Sequence, residues 1–111
     1  MNNSLSKLTV IVVTFKTDIT LLRNCLNSID SRVKVIIVEN SKNFVNKNEI
    51  ENQYKNVKIL CSGSNLGYGS GNNFGLDITT TRYALILNPD VVCKIGRASC
   101  RGKSVDLGGR R

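Results

Sequence analysis

Histidine and tryptophan are absent from this 111-residue chain, and proline occurs once, as Pro89. Cys25, Cys61, Cys93 and Cys100 are spaced so that no two form a C-x-x-C pair. Without histidine or paired cysteines a tetrahedral zinc site is not expected. In a cytosolic chain such cysteines read as small core residues. No apolar run reaches the roughly eighteen residues that a membrane-spanning helix needs. Residues 1–7 are polar and lack the apolar stretch of a secretory signal, so the chain is expected to begin in the cytosol. Apolar residues make up 41% of the chain, enough for one small domain with a buried core.

The net charge of +8 would ordinarily suggest nucleic acid or an anionic surface, but its distribution weakens that reading. Residues 1–94 carry 11 basic and 7 acidic side chains, a net of +4. The short stretch 95–111 carries 5 basic and 1 acidic, again +4. No nucleic-acid partner is expected. The stretch 95–111 (IGRASCRGKSVDLGGRR) has neither helical nor strand periodicity. Back-translated, it follows a common short-read sequencing adapter codon by codon through Arg101, and again from Gly102 to Arg111 after a one-base shift of frame. It reads as a non-native, disordered tail, set aside from the fold as a fusion scar would be. The domain proper is residues 1–94, and the parent coding sequence is expected to continue past Lys94.

Residues 8–15 (LTVIVVTF) form a continuous β-branched run, the mark of a strand buried on both faces. Thr17 or Asp18 can cap a following helix, whose apolar face is Leu21, Leu22, Cys25, Leu26 and Ile29. Residues 33–38 and 57–61 are further strands, with a polar loop over 40–48 and a weak helix over 49–54 between them. A glycine-rich loop over 62–71 leads into a helix over 72–80, and residues 83–87 form a fourth strand ended by Asn88 and Pro89. This alternation implies an α/β fold: a parallel sheet with helices on both faces. Ligands of such sheets bind at the carboxyl ends of the strands.

Polar residues gather at those ends. Asp90 in Asn88-Pro89-Asp90 is placed to hold a divalent cation, since magnesium and manganese need only one or two carboxylates beside phosphate oxygens; the tripeptide equally suits a simple turn. Glu39, in Glu39-Asn40-Ser41, could meet a ribose or base edge, or stand as a solvated strand end. Thr14 and Phe15 could line a base, or belong to a capped turn. The loop from Ser64 to Gly75 is not a dinucleotide fingerprint, because Asn72 stands where the third glycine would be, and it lacks the Gly-Lys-Ser/Thr of a P-loop. It remains a backbone-rich loop opening a helix, suited to an anionic ligand.

Four segments together, VIVVTFKT (10–17), VIIVENS (35–41), SNLGYGSGNNFGL (64–76) and LILNPDV (85–91), resemble family 2 glycosyltransferases of the GT-A fold, with the nearest likeness to the rhamnosyltransferase-like subgroup. The resemblance implies a Rossmann-like GT-A sheet, truncated, with a UDP- or dTDP-sugar donor and a divalent metal, Mg or Mn. It places Thr14 and Phe15 at the base, with Glu39, where the family usually has Asp, and Asn40 beside the base or ribose. Asn65, Gly67 and Asn73 would close on the donor. Asn88 and Asp90 occupy the metal-binding DxD position, with Asp90 the metal ligand. The reaction implied is inverting transfer of a hexose or a deoxyhexose such as rhamnose to a glycan or lipid-linked acceptor, in cell-wall polysaccharide biosynthesis. The setting implied is cytoplasmic, compatible with peripheral attachment to the inner face of the membrane. The catalytic base lies beyond the metal motif, and no residue of this chain is assigned to it. A sugar nucleotidyltransferase would want glycines after the first strand, where Lys16 to Ile19 has none; a non-enzymatic binding or receiver domain would want an acidic cluster there, where only Asp18 stands. Inactivity and an open, unstable sheet edge at the fourth strand are expected of the chain as it stands.

Overall fold

The computed structural model describes residues 5–65, 67–90 and 103–107. A 3-10 turn (Leu5–Lys7) leads into strand β1 (Leu8–Thr14), and helix α1 (Ile19–Asn27), β2 (Lys34–Glu39), α2 (Lys47–Gln53), β3 (Val57–Cys61), α3 (Tyr68–Ile78) and β4 (Tyr83–Leu87) follow in alternation. A short strand, β5 (Lys103–Asp106), completes the described residues' sheet, whose order is β3-β2-β1-β4-β5. Strands β1 to β4 are mutually parallel and β5 is antiparallel to β4. The four-stranded parallel α/β unit is the one the hydrophobic pattern implies.

Strand β1 lies at the centre because both of its faces are apolar. Val10 and Val12 point into one core with Leu22, Cys25 and Leu26 of α1, Ile50 of α2, and Val35, Ile37 and Ile59 of the neighbouring strands. Ile11 points the other way, into a smaller cluster with Ala84, Leu76 and Leu107. Asp18, rather than Thr17, caps α1: its side chain accepts from the amides of Thr20 (2.8 Å) and Leu21 (3.3 Å). Helix α2 begins at Lys47, two residues before the expected start, with Ile50 as its buried anchor.

Helix α3 starts at Tyr68, inside the stretch expected to be loop. The glycines there serve close packing. A Cβ on Gly75 would sit 2.6 Å from Ile11 Cγ2, and one on Gly71 would sit 2.8 Å from Val13 Cγ1. Glycine lowers helix propensity, which hides the helix in the sequence, but here it lets the backbone of α3 lie directly on β1.

The stretch 103–107 differs from the expectation of a structureless tail. The Leu107 amide donates to the Arg82 carbonyl at 2.6 Å, Arg82 and Asp106 approach to 3.5 Å, and Leu107 is buried. The physical reason is that an open strand edge offers backbone partners to any segment of extended chain, whatever its side chains. The edge of β4 expected to lie open is therefore paired. At the opposite edge, the Ile59 amide of β3 donates to Glu51 of α2 at 2.8 Å, and Lys47 holds the same carboxylate at 3.1 Å.

Two predictions concern this frame. Gly75→Ala should destabilise the chain by about 1–3 kcal/mol through overpacking against Ile11, whereas Gly69→Ala, with nothing within 4 Å of the new Cβ, should be neutral or gain about 0.5 kcal/mol. Urea titration of both variants checks the contrast. Glu51 titrates below its ordinary 4.5, chiefly because of the Ile59 amide and, after an opposing burial effect, because of Lys47. A depressed folded pKa gives stability that is complete above 4.5 and lost as pH falls through the lower folded value. Glu51→Gln should thus melt below wild type at neutral pH, with the gap closing on acidification; a gap independent of pH would overturn this.

Candidate functional site

The parallel strands end along one rim. Thr14 pairs with Glu39 and Glu39 with Cys61, while Leu87 pairs with Val12, so Asn88 to Asp90 leave β4 at the same level. Because β2 and β3 lie to one side of β1 and β4 to the other, the chain reverses direction between β1 and β4. A crevice at the carboxyl ends of the strands follows from that reversal.

Glu39 organises the first part of the rim. Its side chain is buried, and its carboxylate accepts from the Thr14 hydroxyl (2.6 Å), the Lys16 amide (3.1 Å) and the Ser41 hydroxyl (2.6 Å). A buried carboxylate is tolerated only when hydrogen-bonded in this way. Lys16 takes the left-handed conformation, φ 52°, the sole described non-glycine residue to do so. This turns the chain so that its amide faces Glu39, while Phe15 stands 49% exposed with the Lys16 ammonium 5.4 Å from its ring centre.

Two adjoining hollows open there. One, of about 420 Å³, runs from Phe15 and Lys16 past Ser41 and Lys42 to Gly63 and Asn65. The other, of about 320 Å³, lies between Lys16, Ile19, Glu39, Phe44 and Val45. Lys16, Ser41 and Asn43 border both. An aromatic face beside lysines and amide side chains suits a base and an anionic group.

The third strand-end loop is tied back to the second. The buried Asn40 donates its amide to the Gly67 carbonyl and accepts from the Ser62 hydroxyl, both at 3.0 Å. Asn65 Oδ1 accepts the Gly67 amide at 3.1 Å. Asn73 is exposed on α3, whereas its neighbour Asn72 is buried, with an Oδ1 that has no hydrogen-bond partner. The structure thus brings Thr14, Phe15, Glu39, Asn40, Asn65 and Gly67 together around one rim. Ser62, Ser41 and the Lys16 amide, which join the network, carry little sequence signal of their own, since a hydroxyl or backbone donor becomes visible only through what it touches.

Asn88 and Asp90 are exposed at the end of β4. Cys25 lies within electrostatic reach of Asp90: burial first, and the Asp90 carboxylate second, push its thiol up to about 11. Cys25 is accordingly an inert core thiol, and the half-buried Cys61 is also shifted up, mainly by burial. Cys93 and Cys100 lie outside the described residues. No group of three or more His, Cys, Asp or Glu side chains among the described residues could enclose a metal alone. One exposed carboxylate with an amide oxygen two residues before it does fit magnesium or manganese, which take their remaining ligands from phosphate oxygens and water. No helix among the described residues is long and apolar enough to cross a membrane.

Comparison with solved structures shows the same fold. TarS 1-349 of S. aureus aligns with a TM-score of 0.59 and 24% identity, over 76% of this chain and 27% of its own. The mannosyltransferase PcManGT of Pyrobaculum calidifontis, in complex with GDP-Man and Mn2+, aligns at 0.61 and 18% identity, over 76% and 27%. TarS of S. aureus in a longer form gives 0.62 and 22% identity, over 76% and 16%. The chain therefore spans roughly a quarter or less of the solved structures it matches. No curated protein is significantly similar to it. The family described as Glycosyl transferase family 2 matches residues 9–98, most of the chain, and the chain belongs to that family.

Proposed function

We propose that this chain forms the donor-binding part of a metal-dependent, inverting glycosyltransferase that uses a UDP- or dTDP-sugar. The observation that carries the reading is the rim itself: an exposed aromatic, Phe15, faces a hollow edged by lysines and amides, with Asp90 leaving the adjacent strand end. Phe15 would pack on the base, and Thr14, Glu39 and Asn40 would form the wall behind it. Asn65, Gly67 and Asn73 would border the sugar-diphosphate. Asp90, with Asn88, would hold magnesium or manganese. The metal, when bound, neutralises charge on the leaving diphosphate. That PcManGT, which shares this fold, is in complex with GDP-Man and Mn2+ supports a nucleotide-sugar donor and a metal. The amide at Asn88, in place of a first acid, supports the rhamnosyltransferase-like subgroup; the sugar transferred in this reading is a hexose or a deoxyhexose such as rhamnose. The acceptor in this reading is a glycan or lipid-linked saccharide, met in the cytoplasm or at the inner face of the membrane.

Titration calorimetry of the chain with UDP, dTDP and GDP, with and without manganese, tests the assignment. Manganese should tighten binding of the preferred diphosphate by at least about tenfold, roughly 1.4 kcal/mol, and Asp90→Ala should remove that gain. A manganese-dependent gain undiminished in Asp90→Ala would overturn the metal assignment, and a wild type that binds none of the three would overturn the donor site.

The tail is a separate proposal. Residues 95–111 are assigned to adapter-derived sequence on their codon pattern, and pairing of Lys103–Asp106 with β4 is compatible with that origin, because ladder hydrogen bonds are made by backbone. Long-read sequencing of the source locus should show other codons after Lys94; a native locus encoding residues 96–111 would overturn it.

A further inference from the structure

We propose that Asn40 is a positioning residue: it acts on the nucleotide-sugar through Gly67, by latching the entry of α3 against the end of β2. The inference rests on the donor-site reading above and gives Asn40 a task other than touching the ligand. Asn40 borders the larger hollow, yet only 2% of it is exposed. Its backbone amide donates to the Thr14 carbonyl at 2.8 Å, which holds it in line with the strand ends. Its side-chain orientation is fixed by chemistry: the Gly67 carbonyl can only accept, so the group 3.0 Å from it must be the amide nitrogen. The oxygen then faces the Ser62 hydroxyl, whose proton is shared with the Ser64 carbonyl at 2.6 Å.

Gly67 is the joint that this latch holds. It adopts φ 83°, a conformation open to glycine, as the N-cap residue just before α3. Its amide is taken by Asn65, and its carbonyl receives both Asn40 and the Gly71 amide, the latter at 3.0 Å, which closes the first helical turn. Packing reinforces the contact, since a Cβ on Gly71 would lie 3.1 Å from Asn40 Nδ2. Glu39, the last residue of β2, and Asn40, the next in the chain, therefore hold different loops. Glu39 fixes the turn after β1, Asn40 fixes the loop after β3, and the distance between the two walls of the hollow follows from their being consecutive residues.

The test uses the 111-residue chain in two readouts. In Asn40→Ala, hydrogen exchange at the Gly71 amide should quicken by about tenfold, as expected for loss of a buried hydrogen bond, while amides of β1 and β2 keep their protection. Affinity for the preferred nucleoside diphosphate with manganese should fall by about tenfold. Asn40→Asp keeps the shape but sets a carboxylate against the Gly67 carbonyl. Protonated, it can donate again, and both burial and the neighbouring Glu39 raise its pKa. The affinity of Asn40→Asp relative to wild type, each measured at the same pH, should recover on acidification from pH 7.5 to about 5, whereas the ratio for Asn40→Ala should not. Unchanged Gly71 exchange in Asn40→Ala overturns the latch. Quickened exchange with undiminished nucleotide affinity overturns the positioning role. A wild type that binds no nucleoside diphosphate overturns the donor-site reading and this role with it, while the exchange readout still decides the latch.

Discussion

Strand β1 has no face that water can reach, and the rest of the fold is arranged around that constraint. Val10, Ile11 and Val12 are each 0% exposed. Burying each such side chain contributes about 1.5–3 kcal/mol, which is realised only if both faces of the strand are covered. Helices α1 and α2 cover one face and α3 the other, and parallel strands on either side supply the backbone partners. The chain must then reverse its direction of travel across the sheet, and the crevice at the strand ends is the consequence.

The rim above this core is held by buried polar groups, which carry a stricter requirement than the apolar ones. A buried carboxylate without partners would cost several kcal/mol, so Glu39 dictates where Thr14, Lys16 and Ser41 must lie. The left-handed turn at Lys16 is one result of that demand. Phe15 is another: with its neighbours fixed on both sides, its ring is left standing in the hollow. From the end of β2 the Glu39 carboxylate reaches all three donors.

The kinship to the family 2 glycosyltransferases accords with this division of labour. Low identity to the solved structures, 18–24%, leaves the alternation of elements and the sheet in place. Many apolar side chains satisfy a buried parallel strand equally well, whereas the polar residues at strand ends have specific partners.

The sequence by itself determined the four parallel strands, the helices between them and the rim on which functional residues gather, because continuous β-branched runs and period-3.6 faces have few other solutions. It also marked Glu39, Asn40, Gly67 and Asp90 as polar or flexible residues at strand ends. It misread the start of α3, since the glycines at 69, 71 and 75 signal loop unless the strand they must approach is known. It foresaw no structure over 103–107, where pairing depends on a free edge and not on side chains. Above all, a list of residues cannot distinguish a group offered to a ligand from one consumed by the protein. Only the tertiary structure decided that Thr14 is spent on Glu39 and Asn40 on Gly67 and Ser62, beneath the surface, while Phe15 faces outward, because that depends on distances between residues up to 27 positions apart in the chain.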